Sequence, residues 1–161
     1  MSAGGVRFEV VDPTSPAATA AMRAYFAELD DRFAAGFDPG DALGAGARSM
    51  APPGGVFVLV LDTDDAVAGR VIGCGGLQRW DATTGEIKRM WVDPVRRGTG
   101  VGRRLLAELE RHAAELGYAT VLLDTNATLN EAIAMYTSAG YAEVPRYNDN
   151  PYAERWFRKA L

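Results

Sequence analysis

Arg97-Gly98-Thr99-Gly100-Val101-Gly102 decides how the 161-residue chain is read. Before it, residues 86–92 (EIKRMWV) have the pattern of a strand, stopped by Asp93-Pro94. After it, Val101, Leu105, Leu109, His112 and Leu116 fall on one face of a helix over 101–116, closed by Gly117. A helix start presents about four unpaired N–H groups and the positive end of the helix dipole. Three glycines let the backbone before it curl, so that these N–H groups converge on one anion, as around a phosphate or pyrophosphate. Arg96, Arg97, Arg103 and Arg104 flank the turn and can add charge-assisted bonds. A plainer reading is also open: a flexible turn from strand to helix.

Charge points the same way. The formal net charge is −4, which argues against a surface built to coat nucleic acid or anionic lipid. Yet six of the 17 cations lie between Lys88 and Arg104, where Asp93 is the only acid. Apolar residues at 48% and charged residues at 24% make a globular composition, and the length suits a single domain over 1–161.

Composition also excludes several chemistries. With one Cys (Cys74) and one His (His112), one chain has no internal disulfide and no tetrahedral Cys/His zinc site, so no metal is expected. No G-x-S-x-G elbow accompanies His112. No apolar run approaches the ~20 residues that span a bilayer. The N-terminus lacks a signal-peptide pattern, so the expected compartment is the cytoplasm. The turn fails the Walker pattern, having no Gly-Lys-Ser/Thr, and the dinucleotide fingerprint, because Arg103 stands at the third glycine.

Working outward, residues 6–11 read as a strand. Thr14 or Ser15 caps a helix carrying Met22, Phe26, Leu29 and Phe33 down to Gly36. Residues 36–55 read as loop, with at most a short helix around 41–50. Strands over 56–61 and 67–79 flank a turn at 62–65, and Gly69, Gly73, Gly75 and Gly76 suggest a bulge or close backbone approach. Residues 119–125 form a buried strand. Asn130 caps a helix to Gly140, and 141–144 and 155–161 are the last strands. The expectation is an α+β fold: a mixed, largely antiparallel central sheet flanked by helices.

Arg97-x-x-Gly100-x-Gly102 resembles the CoA signature of the GNAT superfamily of acyl-CoA N-acyltransferases. Asn130-x-Ala132-x-x-Met135-Tyr136, followed by Ala139-Gly140-Tyr141, looks like that family's second motif helix. The pieces lie in order across about half the chain, from Gly69 to Tyr141, and residues 147–161 look like the ends of small bacterial members. The first fifty residues match only in outline.

The resemblance implies a GNAT-like fold and a division of labour. Backbone amides of Arg97, Gly98, Thr99, Gly100, Val101, Gly102 and Arg103 would hold the pyrophosphate of acetyl-CoA, the co-substrate. The backbone around Met90, Trp91 and Val92 would pair with the pantetheine arm, and the Asn130 amide would bond it. Tyr136 would protonate the departing thiolate as general acid. Glu86 matches the place of a carboxylate base in some members. Burial there would suit it to take a proton, while Lys88, two residues on, would oppose this by favouring the charged form. Tyr147 and Asn148 could line the acceptor site. His112, Cys74, Trp91 and Trp156 read as packed residues in their own right.

The implied activity is acetyl transfer to a primary amine by direct attack in a ternary complex. A small-molecule acceptor is expected ahead of a protein α-amine or Lys, with no nucleic-acid or membrane partner, and the chain could form a homodimer. Acids at Glu28, Asp30, Asp31, Asp38 and Asp41 would suit a cationic amine, or simply a solvated helix face. Other classes stay open: a CoA-binding sensor without catalysis, a protein N-terminal or lysine acetyltransferase, and a nucleotide-dependent oxidoreductase.

Overall fold

Val56–Asp62 (VFVLVLD) is buried at every position, so both of its faces need cover. Successive side chains of a strand point to opposite faces. Val56, Val58 and Val60 enter one apolar cluster with a helix over Val101–Glu115, while Phe57, Leu59 and Leu61 enter another with a helix over Pro16–Arg32. The protein, a computed structural model describing residues 5–64 and 69–161, is thus a sheet between two helical layers.

Among the described residues the order is β1 (Val6–Val11), α1 (Pro16–Arg32), α2 (Ala45–Arg48), β2 (Val56–Asp62), β3 (Val71–Asp81), β4 (Thr84–Val92), α3 (Val101–Glu115), β5 (Thr120–Thr125), α4 (Asn130–Ser138), β6 (Ala142–Val144) and β7 (Arg155–Ala160). A one-turn 3-10 helix, Pro94–Arg96, precedes α3. The strands form one sheet in the order β1-β2-β3-β4-β5-β7-β6, antiparallel except between β4 and β5. This is the mixed, largely antiparallel sheet expected. No described helix is long and apolar enough to cross a membrane.

Several boundaries differ from the sequence reading. Ser15, not Thr14, caps α1, accepting from the Ala18 N–H at 3.3 Å, and α1 stops at Arg32 because Phe33 turns extended. The strand expected from residue 67 begins at Val71, since Gly69 has a φ of +84°; Val67 and Asp65 lie outside the described residues. Leu129 occupies the cap position of α4, and Asn130 is its first helical residue without a capping bond. Leu116 is exposed and leaves the buried stripe that Val101, Leu105 and Leu109 keep.

Two departures from regular sheet make the site. First, β4 and β5 pair for only three register positions, Thr84↔Thr120, Gly85↔Val121 and Glu86↔Leu122, and then part. Second, Gly76 pairs with Lys88 but Cys74 with Trp91, so Arg89 and Met90 together face Gly75 in a bulge. A Cβ on Gly75 would stand 2.7 Å from Leu109 Cδ1, so a side chain there would displace the Leu109 side chain of α3. Arg89 takes a φ of +60°, a conformation costly for a residue with a Cβ.

Candidate active site

Where β4 and β5 part, a cleft opens in two connected portions. The larger, about 500 Å³, lies between residues 87–90 of β4 and 123–125 of β5, roofed by α1 and residues 37–42 and 150–153. The smaller, about 290 Å³, runs along Met90, Trp91 and Val92 to Gly98, Gly100, Gly102 and Arg103. Tyr25, Leu29, Met90, Leu129, Ala132 and Tyr136 line both.

The smaller portion ends on the glycine turn. Gly98 and Gly100 have φ of +77° and +85°, and a Cβ at either would meet nothing within 4 Å, so the turn is open on its outer side. Gly100 is the cap residue of α3 and supplies no side-chain bond, leaving the first-turn N–H groups for a ligand. Gly102 serves the packing instead. A Cβ there would press within 3.2 Å of Met135 Sδ, so the glycine lets α3 and α4 cross closely. Val101 is buried in the core and Thr99 donates its hydroxyl to the Arg96 carbonyl, so only their backbone serves the turn.

The flanking arginines are engaged by the protein. Arg97 donates from Nε to the Val92 carbonyl at 3.0 Å and from Nη2 to both Glu28 oxygens at 2.6 and 2.7 Å. Arg96 pairs with Asp62, Arg103 with Ser138, and Arg104 lies 5.8 Å over the Phe8 ring. The charge cluster therefore fastens the turn in place, with the Arg103 side chain also lining the cleft.

The junction is phenolic. Tyr136 is 6% exposed and faces both portions, and its hydroxyl makes no hydrogen bond to a described residue. Burial holds its phenol well above the ordinary tyrosine range, so it stays protonated. Tyr25, on α1 beside it, is pushed up to about 12 by burial. Trp91 is 9% exposed and donates from Nε1 to Glu28 Oε1 at 3.2 Å.

The larger portion is walled by aromatic rings. Phe26 and Phe37 stack at 5.4 Å between centroids, and Phe37 lies 4.5 Å from Tyr152. Its floor holds Lys88, Arg89 and Asp124. Asp124 accepts from Asn148 Nδ2 at 2.6 Å and Asn150 Nδ2 at 3.3 Å, with Lys88 Nζ 3.6 Å away.

Some residues singled out in the sequence lie elsewhere. Glu86 is 1% exposed, lines neither portion, and accepts from Tyr147 Oη at 2.7 Å, Gln78 Nε2 at 2.7 Å and Asn148 Nδ2 at 3.2 Å. Tyr147 is spent on that carboxylate and Asn148 is shared between it and Asp124, while the C-terminal loop lines the cleft through residues 150–153 instead. Asn130 is exposed at the start of α4 and lines neither portion. Of the acids, Glu28 is bound to Arg97, Asp30 accepts from the Phe37 N–H, and Asp41 accepts from the Ala45 N–H; Asp38 reaches the cleft. His112 packs half-buried between Glu108 and Glu115, and burial pushes the Cys74 thiol up to about 12. Among the described residues no His, Cys, Asp or Glu cluster suits a metal ion. Sequence reasoning missed Tyr25, Arg89, Asp124 and the aromatic wall. The one available signal was that Tyr25 precedes Phe26 on a helix whose spacing already faces it to the core.

The chain is similar to known proteins. It is 39% identical over 77 residues to an IAA acetyltransferase of Azospirillum brasilense, covering 47% of this chain and 50% of that protein. It is 31% identical over 112 residues to an uncharacterized N-acetyltransferase of Schizosaccharomyces pombe, covering 69% of this chain and 66% of that protein. The chain thus spans about half to two thirds of these relatives. A GNAT-family acetyltransferase of Staphylococcus aureus shares the fold, with a TM-score of 0.82 at 17% identity, over 98% of this chain and 99% of that one. The acetyltransferase (GNAT) family model matches residues 22–141, from α1 through the parting of β4 and β5 and the glycine turn to just past α4, and the chain belongs to that family.

Proposed function

We propose that this chain, acting as one domain, is an acetyl-CoA-dependent N-acetyltransferase that acetylates the primary amine of a small molecule. The observation that carries this reading is the joined cleft: one portion ends at the glycine turn, the other is walled by side chains, and Tyr136 stands where they meet. The residues fit acetyl-CoA. The open turn at Gly98 and Gly100 offers backbone N–H groups to the pyrophosphate, with Arg103 beside it. Beyond Glu86, β4 has no partner on its β5 side, so the edge at Met90 can hydrogen-bond the amides of the pantetheine arm as an added strand would.

Bound there, acetyl-CoA supplies a thioester whose C–S bond breaks as a C–N bond forms to the acceptor. Tyr136 gives its phenolic proton to the departing sulfur and regains one from the acylated nitrogen. The proton that an ammonium acceptor sheds before attack leaves through the open mouth of the larger portion. Glu86 does not line the cleft, and its role in this reading is to anchor residues 147 and 148.

The test is CoA release over a panel of amines, amino acids, aminoglycosides and peptides, together with thermal shift by acetyl-CoA and by nicotinamide dinucleotides. Stabilisation by acetyl-CoA with release on at least one amine is expected. Stabilisation by a dinucleotide alone overturns the reading.

A further inference from the structure

Arg89 is the anomaly of the larger portion. Its backbone holds a φ of +60° inside a strand, and its guanidinium carbon lies 5.7 Å over the Phe26 ring. Its Nε is buried with no hydrogen-bond partner, and the side chain forms no hydrogen bond or ion pair with any described residue. A desolvated charge without a partner is expensive. Desolvation by burial shifts the Arg89 guanidinium down from its ordinary value, the direction expected of an unpaired cation. Asp124 and Glu86 offset this only in part and from a distance, since neither bonds Arg89: Lys88 and the amides of Asn148 and Asn150 take Asp124, Tyr147 and Gln78 take Glu86, and Asp38 accepts from the Gly40 N–H.

Strain and an unpaired charge in one cleft residue point to a ligand that completes the site. We infer that the acceptor is an amine that also carries a carboxylate, which Arg89 binds, and an apolar or aromatic group, which lies against Phe26, Phe37 and Tyr152. The planar guanidinium takes a carboxylate through paired N–H bonds, fixing orientation as well as position. With the carboxylate on Arg89 and the apolar group on the rings, the amine is left facing the Tyr136 end of the cleft. This assignment rests on the acetyltransferase reading only for the fate of that amine; the binding itself stands apart.

The experiment is calorimetric binding of L-phenylalanine, 3-phenylpropionate and 2-phenylethylamine to the full chain, to Arg89→Gln and to Arg89→Lys, with acetyl-CoA titrated in parallel. The two carboxylates are expected to bind the parent at least about tenfold more tightly than 2-phenylethylamine. Arg89→Gln erases that preference, and Arg89→Lys keeps part of it because charge remains without the fork. Should Arg89→Gln not fold, the Lys variant alone still tests the fork. Equal binding of all three probes by the parent, or an unchanged preference in the variants, overturns the inference. Failure to bind acetyl-CoA, with the carboxylate preference intact, overturns the acetyltransferase reading alone.

Discussion

Arg97 of the glycine turn grips Glu28 of α1 through both carboxylate oxygens, at 2.6 and 2.7 Å. The turn that ends the smaller portion of the cleft is thereby fixed to the helix that roofs the larger. Both side chains are largely buried, so screening is reduced. Glu28→Ala should cost about 1–3 kcal/mol, the range for a charged hydrogen-bonded pair, and should raise KM for both substrates together. Steady-state kinetics with each substrate varied would check this; a rise in one KM alone would contradict the coupling.

Tyr136→Phe keeps the ring that packs against Tyr141 and Phe157, at 6.0 and 6.1 Å, and removes only the hydroxyl. In the proposed mechanism kcat falls about 10²–10⁴-fold, while acetyl-CoA binding changes little. Turnover paired with direct titration of acetyl-CoA separates the two effects.

Glu86→Gln places an NH2 group where a carboxylate oxygen accepts from Tyr147 and Asn148. Stability should drop by about 1–3 kcal/mol. The rise of rate with pH should keep its shape, since Glu86 does not line the cleft. A flattened alkaline limb would restore Glu86 as the base.

Gly100→Ala adds a methyl to open space, so its cost is that of the backbone at φ +85°. That cost is about 1–2 kcal/mol, or roughly 2–4 °C in Tm per kcal/mol for a chain of this size. Acetyl-CoA affinity should fall with it as the turn relaxes. Differential scanning calorimetry with and without acetyl-CoA would show both.

Burial raises the phenols of Tyr25, Tyr136, Tyr141 and Tyr147 above their ordinary value of 10.0. The unfolded chain therefore loses these protons first. The stability they contribute is complete below about pH 10 and is lost as pH rises beyond it. Cys74, ordinarily 9.0 and raised by burial to about 12, acts in the same direction from a lower pH. Urea midpoints measured from pH 8 to 11 should hold level and then fall; a level course to pH 11 would contradict the burial of these groups.

The elements with local signals were legible in the sequence. The glycine turn, the α3 stripe over Val101, Leu105 and Leu109, and the unbroken apolar run of β2 each announce themselves by spacing. What escaped depends on partners distant in sequence. The Arg89 bulge exists because β3 offers Gly75 opposite it under Leu109. Glu86 is closed off by Tyr147 and Asn148, more than sixty residues later. Asn130 fits the motif by spacing, yet the turn at Leu129 leaves it exposed, since motif spacing carries no direction for a side chain at a helix start.

The three-position pairing of β4 with β5 has a consequence for how this scaffold can change. In the proposed function acetyl-CoA is met mainly by main-chain groups, which every residue type possesses, and the acceptor by the side chains of α1, residues 37–42 and residues 150–153, which line the larger portion. Replacing those side chains can retarget the acceptor while the donor's seat is untouched. Division of the sheet thus makes selectivity an interchangeable part, and puts the sites to randomise when seeking new acceptors on the roof of the cleft.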